Sequence, residues 1–179
     1  TDTEDITGKT ISECEVHLTE EALLNVLPRF RGDILQVPPM YSAIKVGGQK
    51  LYDLARKGRE VERQPRPITI HELELLDFSG NEARLRVRCS KGTYIRTLCK
   101  DIGEALGCGG CMAALRRVQA GEYTLEGSIP LRQLLDISEA GEDVEHLLRP
   151  VDTMFASHEK LCLNEKQARL VKNGNAFAS

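Results

Sequence analysis

Two side chains in the segment Ser90 to Thr97, Tyr94 and Arg96, could do chemistry together. Residues two apart on an extended backbone project to the same side. Arginine supplies a planar fork suited to a carboxylate or a phosphate, and tyrosine supplies a flat apolar face with a polar tip. That pairing suits an unstacked base held beside a catalytic acid. The same spacing fits a core tyrosine next to an arginine in a structural ion pair, and on spacing alone this is the plainer reading.

Other candidates are weaker. Thr7-Gly8-Lys9-Thr10 ends like a phosphate-binding loop, but position 3, where the motif needs glycine, is Thr, so few backbone N–H groups converge there. Cys108-Gly109-Gly110-Cys111 could be a redox couple or half of a zinc site. Zinc requires a second suitably spaced pair, and a thioredoxin-like couple requires a helix start in a βαβ context. The histidines at 17, 71, 146 and 158 offer no ligand spacing with it, so no metal is expected. The six cysteines read as reduced thiols, with Cys89 and Cys99 on apolar faces or flanks.

The elements that must position Tyr94 and Arg96 follow from hydrophobic period. Ile68 to Leu76 and Ala83 to Cys89 are strand-like runs joined by the turn-rich segment 77–82, which predicts an antiparallel hairpin. In the second run Leu85, Val87 and Cys89 alternate with Arg84, Arg86 and Arg88, predicting one core face and one cationic face. A helix starts at Thr97 or a neighbour, with Leu98, Ile102, Ala105 and Leu106 on one stripe and Gly107 as its stop. Tyr94 and Arg96 therefore fall at a strand-to-helix junction.

Upstream, the residues to about Val16 predict a loop and a short strand. Thr19 caps a helix carrying Leu23, Leu24, Leu27 and Phe30, whose last turn Pro28 puts in question. Residues 37–49, with tandem prolines and paired glycines, predict a long ordered loop or hairpin. Lys50 to Lys57 predicts a short helix stopped by Gly58. Downstream the pattern predicts helices over 111–117, 131–137 and 142–148, a strand near 122–125, and a capped helix from Asn164 to Lys172 before Asn173-Gly174. Phe177-Ala178-Ser179 has no tapering charged tail, as if a further element had followed.

With 179 residues, 41% hydrophobic and 28% charged, the chain can bury one substantial core. No apolar run approaches the roughly 18 residues needed to span a bilayer, and the acidic start is unlike a signal peptide, so a soluble, cytoplasmic protein without a membrane partner is expected. The net charge of -3 is unevenly spread. Residues 1–44 hold 3 basic and 8 acidic side chains, 45–118 hold 15 and 9, and 119–179 hold 6 and 10. A basic middle between acidic ends fits a localised phosphate-contacting surface, and equally an uneven surface without a ligand.

Several blocks arrive in an order similar to that of the TruB-type tRNA pseudouridine-55 synthases. They are 37–45 (Val-Pro-Pro-Met-Tyr-Ser-Ala-Ile-Lys), Gly48-Gln49-Lys50-Leu51-Tyr52 with Ala55-Arg56, Arg66-Pro67-Ile68-Thr69, Lys91 to Thr97, and Leu106-Gly107-Cys108-Gly109 with Leu115-Arg116-Arg117. The resemblance runs from Thr1 to about Asp152. It implies an α+β pseudouridine synthase fold, in part, with a mixed, largely antiparallel sheet flanked by helices. Residues 1–152 would be part of the catalytic domain, and 153–179 a C-terminal extension that could begin an RNA-binding appendage.

Enzymes of this family isomerise a uridine of the tRNA T arm without cofactor or metal. By resemblance, Tyr94 lies against the target base and Arg96 pairs with the catalytic aspartate, while Lys45, Lys50, Tyr52, Lys91, Leu115, Arg116 and Arg117 serve the substrate. Two departures stand out. The family's aspartate lies in a Gly-x-Leu-Asp-Pro-type motif, and no Asp of this sequence is followed by Pro. The nucleophile is therefore expected before Thr1, and this chain is expected to bind the T-arm stem-loop weakly without isomerising it. Cys111 stands where the family often has His. The rivals are a non-catalytic RNA-binding module and, more remotely, a thiol or zinc protein.

Overall fold

A computed structural model describes residues 1–177; Ala178 and Ser179, the end of the expected cut-away terminus, lie outside the described residues. The chain divides into two compact units, Thr1–Arg116 and a second beginning at Arg117.

The first unit is built on a three-stranded antiparallel sheet in the order β1 (Gly32–Gln36), β4 (Arg66–Phe78), β5 (Ala83–Cys89). The hairpin of β4 and β5 is the one expected, with β4 longer at both ends. β1 was not expected, because its five residues lack clean alternation. It pairs along β4 from Gly32↔Ile70 to Gln36↔Arg66. The only parallel pairing among the described residues is an isolated bridge between Asp5 and Met112, and the strand expected in the first sixteen residues does not form. The α+β class holds, with the sheet wholly antiparallel.

One sheet face is covered by helices. α1 (Glu20–Val26) is capped by Thr19, whose hydroxyl accepts from the Ala22 N–H at 3.2 Å. Pro28 does not break the helix but tightens its last turn into a 3-10 segment, Leu27–Phe30, where a missing N–H is tolerated. α3 (Ile95–Ala105) lies beneath, and Leu23, Leu27, Ile68, Ile70, Leu73, Leu98 and Ile102 form the core. Gly107, at positive φ, follows the end of α3, and the turn after it returns so close that a Cβ at Gly103 would collide with the Gly109 carbonyl.

The opposite face is not cationic, as alternation predicts. β4 places Glu74 across from Arg86, Glu72 across from Arg88 and Asp77 across from Arg84. Arg88 and Glu72 pair at 2.7 Å, Arg86 and Glu74 at 3.5 Å. Alternation identified the outward side chains of β5; strand pairing supplied their neutralising partners.

Residues 45–57 form the expected hairpin and helix. β2 (Lys45–Val46) and β3 (Gln49–Lys50) are joined by Gly47 and Gly48, both at positive φ as a two-residue turn of this kind needs. α2 (Leu51–Arg56) buries Leu51 and Leu54.

The second unit holds a two-residue hairpin of β6 (Gln119–Ala120) and β7 (Tyr123–Thr124), then α4 (Leu131–Glu139) and α5 (Glu165–Lys172). Asn164 and Gln167 close α5 with reciprocal side-chain-to-backbone bonds, as the expected cap requires. Two expected helices fail. Residues 113–117 are irregular, and 142–148 give only a 3-10 turn at Glu145–Leu147. In the first, expected over 111–117, Met112 bonds instead to the backbone of Glu4 and Ile6.

Candidate active site

β1 ends on Gln36, whose side chain is 2% exposed. Its amide oxygen accepts the Tyr94 N–H at 2.9 Å, and its amide nitrogen donates to the Tyr94 carbonyl at 3.1 Å. Tyr94 is the N-cap of α3 in an extended conformation and has no side-chain cap of its own. Gln36 thus holds the backbone of the junction, and the Tyr94 ring is left half-buried. On the strand side, Ser90 exchanges bonds with Thr69, its N–H donating to the Thr69 carbonyl at 2.8 Å and its hydroxyl accepting from the Thr69 N–H at 3.0 Å.

Helix α3 begins earlier than expected, at Ile95, so Arg96 lies in its first turn. The two-residue period of a strand therefore does not relate Arg96 to Tyr94. The Arg96 guanidinium reaches two other segments, donating to the Tyr41 carbonyl at 2.9 Å and the Thr3 carbonyl at 3.4 Å. A guanidinium has five N–H donors, so donors remain for a further carboxylate or phosphate. Next to it, the buried Thr97 hydroxyl donates to Glu4 Oε2 at 2.6 Å, and Lys100 pairs with Glu4 at 3.7 Å. The Asp5 carboxyl accepts from the Thr7 hydroxyl at 2.7 Å and the Thr7 N–H at 2.9 Å. Those bonds, with a smaller contribution from the nearby Arg96 charge, hold it below the usual aspartate range.

Tyr41 also links Arg96 to the hairpin region. The Ser42 carbonyl accepts from Tyr52 N–H at 3.1 Å, and the Ile44 carbonyl from Leu51 N–H at 2.8 Å. Beyond them Lys45 and Lys50 face each other across β2 and β3, and with Gly48, Gln49, Asp53 and Lys57 they line an open cavity of about 360 Å³. Three ammonium groups against one carboxylate make it an anion-seeking surface. Lys50 donates to the Tyr52 hydroxyl at 2.9 Å, which raises the Lys50 pKa, and both Lys50 and Arg56 lie over the Tyr52 ring at 5.2 and 5.3 Å.

Lys91 is exposed in the turn before α3, where Gly92 takes positive φ. Leu115 is 56% exposed and Arg116 is exposed, both in the irregular stretch that closes the first unit, and no hydrogen bond joins them to Tyr94 or Arg96. Arg117 opens the second unit, also exposed.

Sequence reasoning missed Gln36, Glu4 and Asp5. The available signal for the last two was the run Thr1-Asp2-Thr3-Glu4-Asp5, dense in side chains that bond their own backbone in turns. Nothing in the sequence singled out Gln36. As for the thiols, burial pushes Cys99 up to about 11, which keeps it protonated and unreactive. Among the described residues no group of three or more His, Cys, Asp or Glu could hold a metal ion.

Residues 1–95 match the model of the TruB family pseudouridylate synthase N-terminal domain, and residues 96–156 that of the tRNA pseudouridylate synthase B C-terminal domain. The chain is 49% identical over 175 residues to tRNA pseudouridine synthase B of Dechloromonas aromatica, covering 98% of this chain and 58% of that protein. It is 50% identical over 170 residues to the Stutzerimonas stutzeri enzyme of the same name, covering 94% and 56%. It therefore spans somewhat over half the length of these relatives. A chain in the crystal structure of a Cbf5-Nop10-Gar1 complex superposes with TM-score 0.61 at 30% identity, over 78% of this chain and 40% of that one. A chain of an H/ACA RNP bound to a substrate RNA containing 2'-deoxyuridine gives 0.52 at 27%, over 71% and 33%.

Proposed function

The chain belongs to the TruB family of pseudouridylate synthases, and from that premise we propose that it is part of an enzyme that isomerises a T-arm uridine of tRNA, at position 55, to pseudouridine. The observation that carries the reading is the junction at 90–97, where Tyr94 and Arg96 stand at the head of α3 beside a lysine-lined surface on the same unit. A uridine turned out of its stack packs against Tyr94. An aspartate carboxylate attacks C1′ of the nucleotide as the C1′–N1 bond breaks, the uracil anion turns, and its C5 attacks C1′ and expels the carboxylate; loss of the C5 proton and protonation of N1 complete the isomerisation. Arg96 keeps that carboxylate ionised and aimed, since a neighbouring cation stabilises the charged form.

Lys45, Lys50 and Lys57 suit the phosphates of an RNA stem-loop, and Lys91, Leu115, Arg116 and Arg117 extend the substrate surface in this reading. The division of the chain into a catalytic part, 1–152, and an extension, 153–179, belongs to the same proposal, as does a cytoplasmic location. No helix of the described residues is long and apolar enough to cross a membrane.

No Asp-Pro pair occurs in the 179 residues, and we assign the nucleophile to a segment outside them. The chain alone then binds a T-arm hairpin and forms no pseudouridine. Incubating it with the hairpin, followed by detection of pseudouridine and a binding titration in rising salt, tests both halves. Turnover would overturn the assignment of the nucleophile; no binding at low salt would overturn the RNA-binding surface.

A further inference from the structure

Glu4 is the one residue other than glycine with positive φ among those described, at 60°. A left-handed backbone at a glutamate is disfavoured by the clash of Cβ with the backbone, and in the local turn the Glu4 N–H donates to the Thr1 carbonyl at 3.3 Å. Such a residue persists where its surroundings over-determine it. Here they do. The Glu4 side chain is 12% exposed, accepts from Thr97 at 2.6 Å and pairs with Lys100 at 3.7 Å, and the Glu4 carbonyl accepts from the Met112 N–H at 3.0 Å. With side chain and carbonyl both tied down, φ determines where the preceding peptide points. That peptide carries the Thr3 carbonyl, which accepts from Arg96.

We propose that Glu4 is a positioning residue for Arg96: its carboxylate, latched to Thr97 and Lys100 on α3, holds the left-handed turn that aims the Thr3 carbonyl at the Arg96 guanidinium. Rotation of Glu4 to the usual negative φ, with the latch in place, would swing the Thr3 carbonyl away and leave the guanidinium held from the Tyr41 side alone. The latch and the aimed group leave the same helix turn, because Arg96 and Thr97 are adjacent. The inference rests on the reading of Arg96 as a site residue for its functional meaning, and on geometry alone for its structural content.

The test is the guanidinium NMR signal of Arg96, assigned by its loss in Arg96→Lys, in the 179-residue chain without RNA. Failure of the proposed reaction therefore cannot be mistaken for failure of the latch. In the wild-type chain Arg96 gives slowed exchange of its side-chain N–H protons. Glu4→Ala, which removes the carboxylate and still disfavours positive φ, speeds that exchange about tenfold, as loss of a net hydrogen bond does. Glu4→Gln keeps an acceptor for Thr97 and restores most of the protection. Glu4→Gly, free to adopt positive φ, falls between the two. Thr97→Val removes the donor without touching the backbone of Glu4 and speeds exchange as well, which preserves the test if Glu4→Ala does not fold. Unchanged Arg96 exchange in Glu4→Ala or in Thr97→Val overturns the proposal, as does equal loss in the Ala and Gln variants.

Discussion

In the first unit Leu23, Leu27, Leu73 and Leu98 are all at most 2% exposed, whereas in the second Leu131, Leu148 and Leu161 are 62–72% exposed. No described residue from 117 onward is buried. Both units contain amphipathic helices with apolar stripes of ordinary width, so helical pattern does not separate them. The sheet does. β4, thirteen residues long, offers Ile68, Ile70 and Leu73 as a common surface for α1 and α3, while the paired strands of the second unit are two residues long and offer no face. An apolar stripe contributes stability only when a second surface removes it from water.

The sharpest test of that contrast is a matched pair of truncations. Leu73→Ala, at a position with no exposure, should cost about 2–5 kcal/mol in urea unfolding, and Leu131→Ala, at 70% exposure, less than about 0.5 kcal/mol. Equal losses would break the comparison. Next come the helix starts. Gln36→Leu strands the N–H of Tyr94 at the head of α3 and should cost roughly 1–3 kcal/mol, with faster amide exchange at Tyr94. Asn164→Ala, which opens the exposed capping box of α5, should cost about 1 kcal/mol and be visible as fraying of α5 alone.

The exposed ion pairs should differ little between the units. A double-mutant cycle on Arg88 and Glu72 should return about 0.2–1 kcal/mol, and one on Arg132 and Asp136, an i,i+4 pair at 2.6 Å, about 0.3–0.5 kcal/mol, both shrinking in salt. The smallest expected effect is a pH dependence specific to the first unit. Burial raises the Asp101 pKa above its ordinary 3.8, with Lys100 opposing. The folded state then holds this proton more tightly than the unfolded state, so its contribution favours folding at low pH and is lost as pH rises through the carboxylate range. Melting temperatures between pH 4 and 7 should show Asp101→Asn gaining on the wild type as pH rises; a parallel profile would show that burial of Asp101 is immaterial.

The parts of the fold legible in the sequence are those governed by neighbours along the chain. The hairpin of β4 and β5, the Gly47-Gly48 turn, α2, the Thr19 cap and the Asn164 cap each depend on residues a few positions apart. The errors share a different origin. β1 forms because β4 pairs with it some 36 residues away, which no local period reveals. The arginine face of β5 reads as cationic until β4 supplies Glu72, Glu74 and Asp77. The helix expected at 111–117 yields to Met112, which bonds instead to the backbone of Glu4 and Ile6.

The candidate site divides the same way. Local pattern placed Tyr94 and Arg96 where a strand gives way to a helix, while spacing alone favoured a structural pair and only the family resemblance marked them as site residues. The sequence alone could not say what holds them. Gln36 clamps the Tyr94 backbone from 58 positions away, and the carbonyls of Thr3 and Tyr41 take the Arg96 guanidinium from 93 and 55 positions away. Local preference determines which elements form and which side chains they can present. Long-range hydrogen bonds and burial decide where those side chains point, because a partner distant in the chain enters only when the core brings it near.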